Sequence, residues 1–178
     1  MGVTTDKYIF QALDAYPYNL EETIESLNYA LSYDEKNAVA LCLMGRLYAE
    51  QLGNYEMAKT YYERALAEDM HAVNIYPKYI NVLLWNEDYA VAEKVIDFAL
   101  TVKGTDKAVL YFKKAILFEK KKAYKAALSC LKTAKIHTYN AHFMSDLDTE
   151  KSRIKDKMPK KKKKKKKKKS SSKKKKKK

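Results

Sequence analysis

Apolar residues recur at intervals of three, four and seven over most of the first 136 positions, with polar residues between them. In the stretch from Ala38 to Met70, Leu41, Met44, Gly45 and Tyr48 fall on one helical face, and Ala58, Tyr61, Tyr62, Ala65 and Leu66 fall on another. That spacing is the signature of two amphipathic helices. Gly53-Asn54 stands between them, a pair that tolerates positive φ and predicts a tight reversal. The predicted unit is a helix-turn-helix.

The pattern continues on both sides. Tyr8 to Leu13 is a short apolar segment stopped by Pro17, and a helix is predicted from about Leu20 to Ser32, with Ile24, Leu27, Ala30 and Leu31 on one face. Asn19 is placed to cap it, and Glu21 and Glu22 suit the positive end of its dipole. After Met70, Asn74 is the expected N-cap of a helix carrying Pro77 in its first turn and Tyr79, Ile80, Leu83 and Leu84 on its apolar face. Asn86-Glu87-Asp88 breaks that helix. The next shows Ala92, Val95, Ile96, Ala99 and Leu100, with Gly104 expected to close it as a C′ residue. A further pair carries Tyr111, Ala115 and Phe118, then Ala127, Leu131 and Ala134.

Register ties these helices together. Ala30, Ala65, Ala99 and Ala134 are separated by 35, 34 and 35 residues. Ala58, Ala92 and Ala127 keep the same step, as do the aromatic positions Tyr55, Tyr89 and Tyr124. A period of about 34 is the length of a tetratricopeptide unit. On Gly45, Tyr48, Tyr55, Ala58, Tyr62, Ala65 and Leu66, the chain resembles the tetratricopeptide repeat (TPR) family over roughly Asp6 to Ile136, and looks like its short bacterial members. The resemblance implies a right-handed α-solenoid of about four helix pairs whose leading helices line a concave surface. The sequence departs from the family pattern at Met70, where a Pro often closes the unit, at Lys114 in a usually apolar place, and at Leu52, which reads as a one-residue insertion. The expected repeats are about 6–36, 38–70, 72–103 and 106–136. Phe143, Leu147, Ile154 and Met158 predict a capping helix at about 140–158, docked on Tyr124 to Ile136 and covering the apolar face of the last repeat. Residues 1–158 then form the helical domain, and residues 159–178 a disordered tail.

Charge changes the picture only at the end of the chain. The net charge of the 178 residues is +15, but residues 160–178 hold sixteen lysines and no acid, leaving the body at −1. Ten consecutive lysines, Ser170-Ser171-Ser172 and six more lysines make a polycation without aromatic or apolar residues. Lys160, Lys161, Lys162, Lys163, Lys173 and Lys174 are accordingly candidate contacts for RNA, the ribosome or another polyanion, without sequence preference.

Candidate chemistry is sparse. Cys42 and Cys130 lie far apart on apolar faces, with no CxxC, and read as reduced packed thiols. His71, His137 and His142 have no spacing that assembles three metal ligands. No Gly-rich phosphate loop, GxSxG or HExxH motif is present. No window approaches the apolar length of a membrane span, and no basic-then-apolar leader opens the chain. The expectation is a non-enzymatic, cytoplasmic interaction protein without cofactor or metal. Fifteen tyrosines would suit base stacking, yet most occupy the packing positions of the repeat. The non-core faces of the leading helices are the candidate partner surface: Arg46, Glu50, Lys78, Asn81, Trp85, Lys113, Glu119 and Lys120. That mixture suits a peptide bearing carboxylates. Cys42 and Leu43 stand where some TPR members grip a C-terminal carboxylate, so that clamp is not expected. The competing expectation is a nucleic-acid or ribosome-associated protein in which the tail is the main binding element.

Overall fold

A computed structural model describes residues 2–159. Among them are nine α-helices and no strand: α1 (Gly2–Ala15), α2 (Leu20–Tyr33), α3 (Ala38–Glu50), α4 (Tyr55–Glu68), α5 (Tyr76–Trp85), α6 (Tyr89–Ala99), α7 (Lys107–Lys120), α8 (Tyr124–Ile136) and α9 (Ala141–Lys157). The predicted lysine contacts, Lys160 through Lys174, lie outside the described residues.

The helices pair in sequence order, α1 with α2, α3 with α4, α5 with α6 and α7 with α8, and each hairpin packs on the next; α9 packs on α8. Small residues set the approach. Ala30, Ala58, Ala65, Ala92, Ala99, Ala127 and Ala134 are all fully buried at 0% exposure, because a methyl is the largest side chain that fits where two helix backbones come closest. Tyr62, Tyr76 and Tyr79 fill the space between hairpins, and one continuous apolar cluster runs from Leu41 to Leu117. A second cluster joins α1 and α2 to α3 through Ile9, Leu27 and Leu47, and a third seats Leu147 and Ile154 of α9 on Leu131 and Ala134.

Most helix starts follow local chemistry. The side chains of Asn19, Asn37, Asn54, Asp106 and Asn140 each accept a hydrogen bond from a first-turn backbone N–H, which satisfies donors the helix itself leaves open. Three sequence expectations need correction. Asn74 does not cap α5; Ile75 holds that position without a side-chain bond, and the helix starts on Tyr76-Pro77. Gly104 does not close α6, which ends at Ala99 with Leu100 as its cap; Gly104 takes its positive φ of 91° in the following loop. The first leading helix is not short: α1 is as long as α2, at 14 residues, since its polar N-terminal turns carry no apolar period to reveal them.

The hairpin turns repeat one geometry. Gly53, Glu87 and Lys122 all adopt a left-handed backbone, at φ of 62°, 62° and 58°. The next residue's N–H bonds back to the leading helix, Asp88 to the Leu83 carbonyl and Ala123 to that of Phe118, both at 2.8 Å, in the manner of a Schellman closure. In the α3–α4 turn the equivalent bond runs from Asn54 to Tyr48 and encloses one residue more. That extra residue is the Leu52 insertion, and it is exposed.

Candidate partner-binding groove

The leading helices place some of the candidate residues together and keep others apart. A groove of about 400 Å³ opens between α1, α3, the 69–75 loop and α5. Leu13, Val39 and Leu43 are apolar members of its lining, and Cys42, Arg46, Asp69, Asn74 and Lys78 are polar ones. Lys78 donates to the Cys42 sulfur at 3.7 Å, linking residues 36 apart that neither local pattern nor motif brings together. Burial nevertheless dominates and raises the Cys42 thiol above its ordinary value, with Lys78 only partly opposing it. The thiol is therefore a packed neutral group rather than a nucleophile.

Arg46 is held rather than free. Its guanidinium lies 4.5 Å from the centre of the Tyr16 ring, and its Nε donates to Glu50 Oε2 at 2.9 Å. The Tyr16 hydroxyl donates to the same oxygen at 2.7 Å. Glu50 thus anchors α1 to α3 and fixes the Arg46 side chain along the groove wall, leaving its Nη donors without a carboxylate partner among the described residues.

Farther along the leading helices, Lys113 donates to Asn81 Oδ1 at 2.7 Å, and among the described residues it has no carboxylate partner. Burial holds its ammonium below the ordinary lysine value. Trp85 is 45% exposed and packs 5.9 Å from the Tyr55 ring at the start of α4. Glu119 is engaged from the other side: Arg153 and Lys157 of α9 both donate to its carboxylate. Lys120 is exposed beside it. Of the eight candidates, then, Arg46 and Lys78 line the groove itself, Glu50 buttresses it, Asn81 and Lys113 form one bonded pair, and Glu119 belongs to the seam with α9. Sequence reasoning missed Tyr16 and Arg153, because each bonds a carboxylate 34 positions away, and Leu13, which joins the groove lining from α1.

Among the described residues no helix is long and apolar enough to cross a membrane, and no cluster of three His, Cys, Asp or Glu side chains could hold a metal ion. His137 stacks on the Tyr111 ring at 5.6 Å.

No family model matches the sequence, and no curated protein matches it either. Solved structures do share its architecture. A double mutant of MamA from strain RS-1 superposes with a TM-score of 0.66 at 19% identity, over 86% of this chain and 80% of that one. MamA from residue 41 to its end, from Desulfovibrio magneticus RS-1, gives 0.65 at 17% identity, over 88% of this chain and 92% of that one. The likeness is one of fold, an all-helical TPR-like stack of hairpins.

Proposed function

We propose that the chain is a non-enzymatic interaction adaptor of the cytoplasm that takes up a peptide or protein segment in the groove between α1, α3 and α5. The observation that carries this reading is the mixed lining of the groove. Leu13, Val39 and Leu43 offer apolar contact, and Arg46 and Lys78 bring cationic donors to the same groove, where Asp69 is the one carboxylate in the lining. A segment with an apolar side chain next to an acidic one would bury the first and give charge-assisted hydrogen bonds to the second. Pre-organisation favours it, since Glu50 and Tyr16 already fix Arg46 and reduce the entropy lost on binding. Asn81, Trp85, Lys113 and Lys120 would extend the same surface toward the C-terminal hairpins. Peptide display against the full chain tests it. The enriched sequences should pair apolar with acidic residues and be lost with Lys78→Glu; enrichment that ignores this substitution would sink the groove reading.

A second reading is favoured by one observation, the sixteen lysines among the last nineteen residues. In it the tail binds RNA or a ribosomal surface and the helical body is its platform. Binding to duplex RNA should then weaken steeply with salt, with a logarithmic slope of about −0.9 for each phosphate neutralised on B-form DNA as the reference case. It should also persist in the Lys78→Glu chain, which separates the two readings.

A further inference from the structure

The first hairpin carries a surface unlike the others. Between positions 8 and 35 the sequence has six acidic residues and no lysine, arginine or histidine; of the flanking cations, Lys7 lies 6.0 Å from the Tyr8 ring and Lys36 pairs with Glu68. The outward face of α2 carries Ile24 and Tyr29 among the exposed carboxylates of Glu21 and Glu25. Tyr29 and Tyr33 both stack on Tyr8, at 5.3 and 5.9 Å, so the aromatic wall is held in place although Tyr29 and Tyr33 are largely exposed.

The other trailing helices have their acids answered. Asp97 and Glu93 of α6 receive Lys114 and Lys121, and Glu56 of α4 shares Lys59 with Asp88. Among the described residues no cation pairs with Glu21 or Glu25. Carboxylates flanking an exposed ring suit a lysine-rich strand: ammonium groups meet the carboxylates, and the alkyl stem or ammonium lies over the ring.

The chain itself supplies such a strand. Nineteen residues follow Pro159, and fully extended they reach at most about 65 Å. Helices are about 10–12 Å across, so the stack from α2 to α9 spans roughly 40–50 Å, within that reach. Tethering makes the contact intramolecular, which favours its own α2 over that of another molecule when the protein is dilute.

We propose that the distal lysines of the tail, Lys173 to Lys178, dock on the outward face of α2 of the same molecule, their ammonium groups pairing with Glu21 and Glu25 and one lysine crossing Tyr29. The contact is independent of what the α1–α3–α5 groove holds. An anionic partner of the tail would then have to displace it from α2.

Paramagnetic NMR on the full chain tests this. A spin label on Ser171→Cys, in a Cys130→Ser background with Cys42 left buried, should strip most of the intensity from the Glu21 to Ser32 amides at about 0.1 M salt. Intensity should return at about 1 M, where the screening length falls from about 10 to about 3 Å. Glu21→Gln with Glu25→Gln, both at exposed positions, should restore it at low salt while the rest of the amide spectrum keeps its folded dispersion. No broadening of α2, equal broadening over all helices, or broadening seen only when label and isotope sit on different copies would overturn the proposal.

Discussion

Arg153 and Glu119 are joined by two parallel hydrogen bonds, Nη1 to Oε1 at 2.5 Å and Nη2 to Oε2 at 2.6 Å, from α9 onto the leading helix α7. The fork of the guanidinium matches the carboxylate, and Lys157 adds a third donor at 2.7 Å. Glu119 is nearly buried while Arg153 stays partly in water, so the acid is the member that most needs the pair.

The hydrogen bond from Arg153 is the main reason the Glu119 carboxyl titrates below its ordinary value. A group whose folded pKa is depressed adds stability above its unfolded pKa and loses it as pH falls through the folded one. Glu119→Gln should cost about 1 kcal/mol near neutrality, solvent around Arg153 keeping it well below a desolvated pair. It should also flatten the acid limb of the stability curve. Urea denaturation at neutral and acid pH measures both; an equal cost at each pH would show that Glu119 contributes through packing alone.

Gly45 faces the ring of Tyr62, and a Cβ there would lie 3.1 Å from two ring carbons. Tyr62 is fully buried and packs against Tyr79 at 6.1 Å, so it has little room to retreat. Overpacking of this kind costs about 1–3 kcal/mol, against which the better helix propensity of Ala returns up to about 1 kcal/mol. Gly45→Ala should therefore be destabilising, and more so in the wild-type chain than beside Tyr62→Leu, where the clash is gone. Additive effects in that double-mutant cycle would refute the close approach.

Ala65 tests the register. It is fully buried on α4 at a repeat-equivalent position to Ala30, Ala99 and Ala134. Ala65→Asp places a carboxylate where no cation or water can reach, and a loss above about 4 kcal/mol is expected, enough to unfold a domain of ordinary stability. The control is Ala67→Asp two residues along, which is exposed and should melt near the wild type.

The small-residue register was legible because close helix contacts admit only Gly or Ala, and such positions must recur at the repeat length. Asn19 was legible as a cap because it sits directly before an apolar helical run. What escaped has no local signal. Asn74 has a capping side chain, but the chain makes a further turn through Ile75 before α5 begins. Arg46 on Tyr16 and Lys78 on Cys42 depend on how hairpins stack, and Glu119 reads as a groove residue until α9 folds over it. The acidic character of α2 is written in its composition, but its openness shows only once the partners of the other trailing helices are known.

The turns offer a stabilising change. Glu87 and Lys122 occupy the left-handed position that Gly53 occupies in the α3–α4 hairpin, with φ of 62° and 58°. A side chain in that region costs roughly 1 kcal/mol that glycine does not bear. Both residues are exposed, and no ion pair of Glu87 or Lys122 occurs among the described residues. Glu87→Gly and Lys122→Gly should each raise stability by about 0.5–1 kcal/mol, less the entropy glycine adds to the unfolded chain. The two turns lie in different hairpins, so the gains should add in the double variant. Thermal melts of the single and double variants decide it: a fall in Tm for either would mean that its turn is not held in the left-handed conformation.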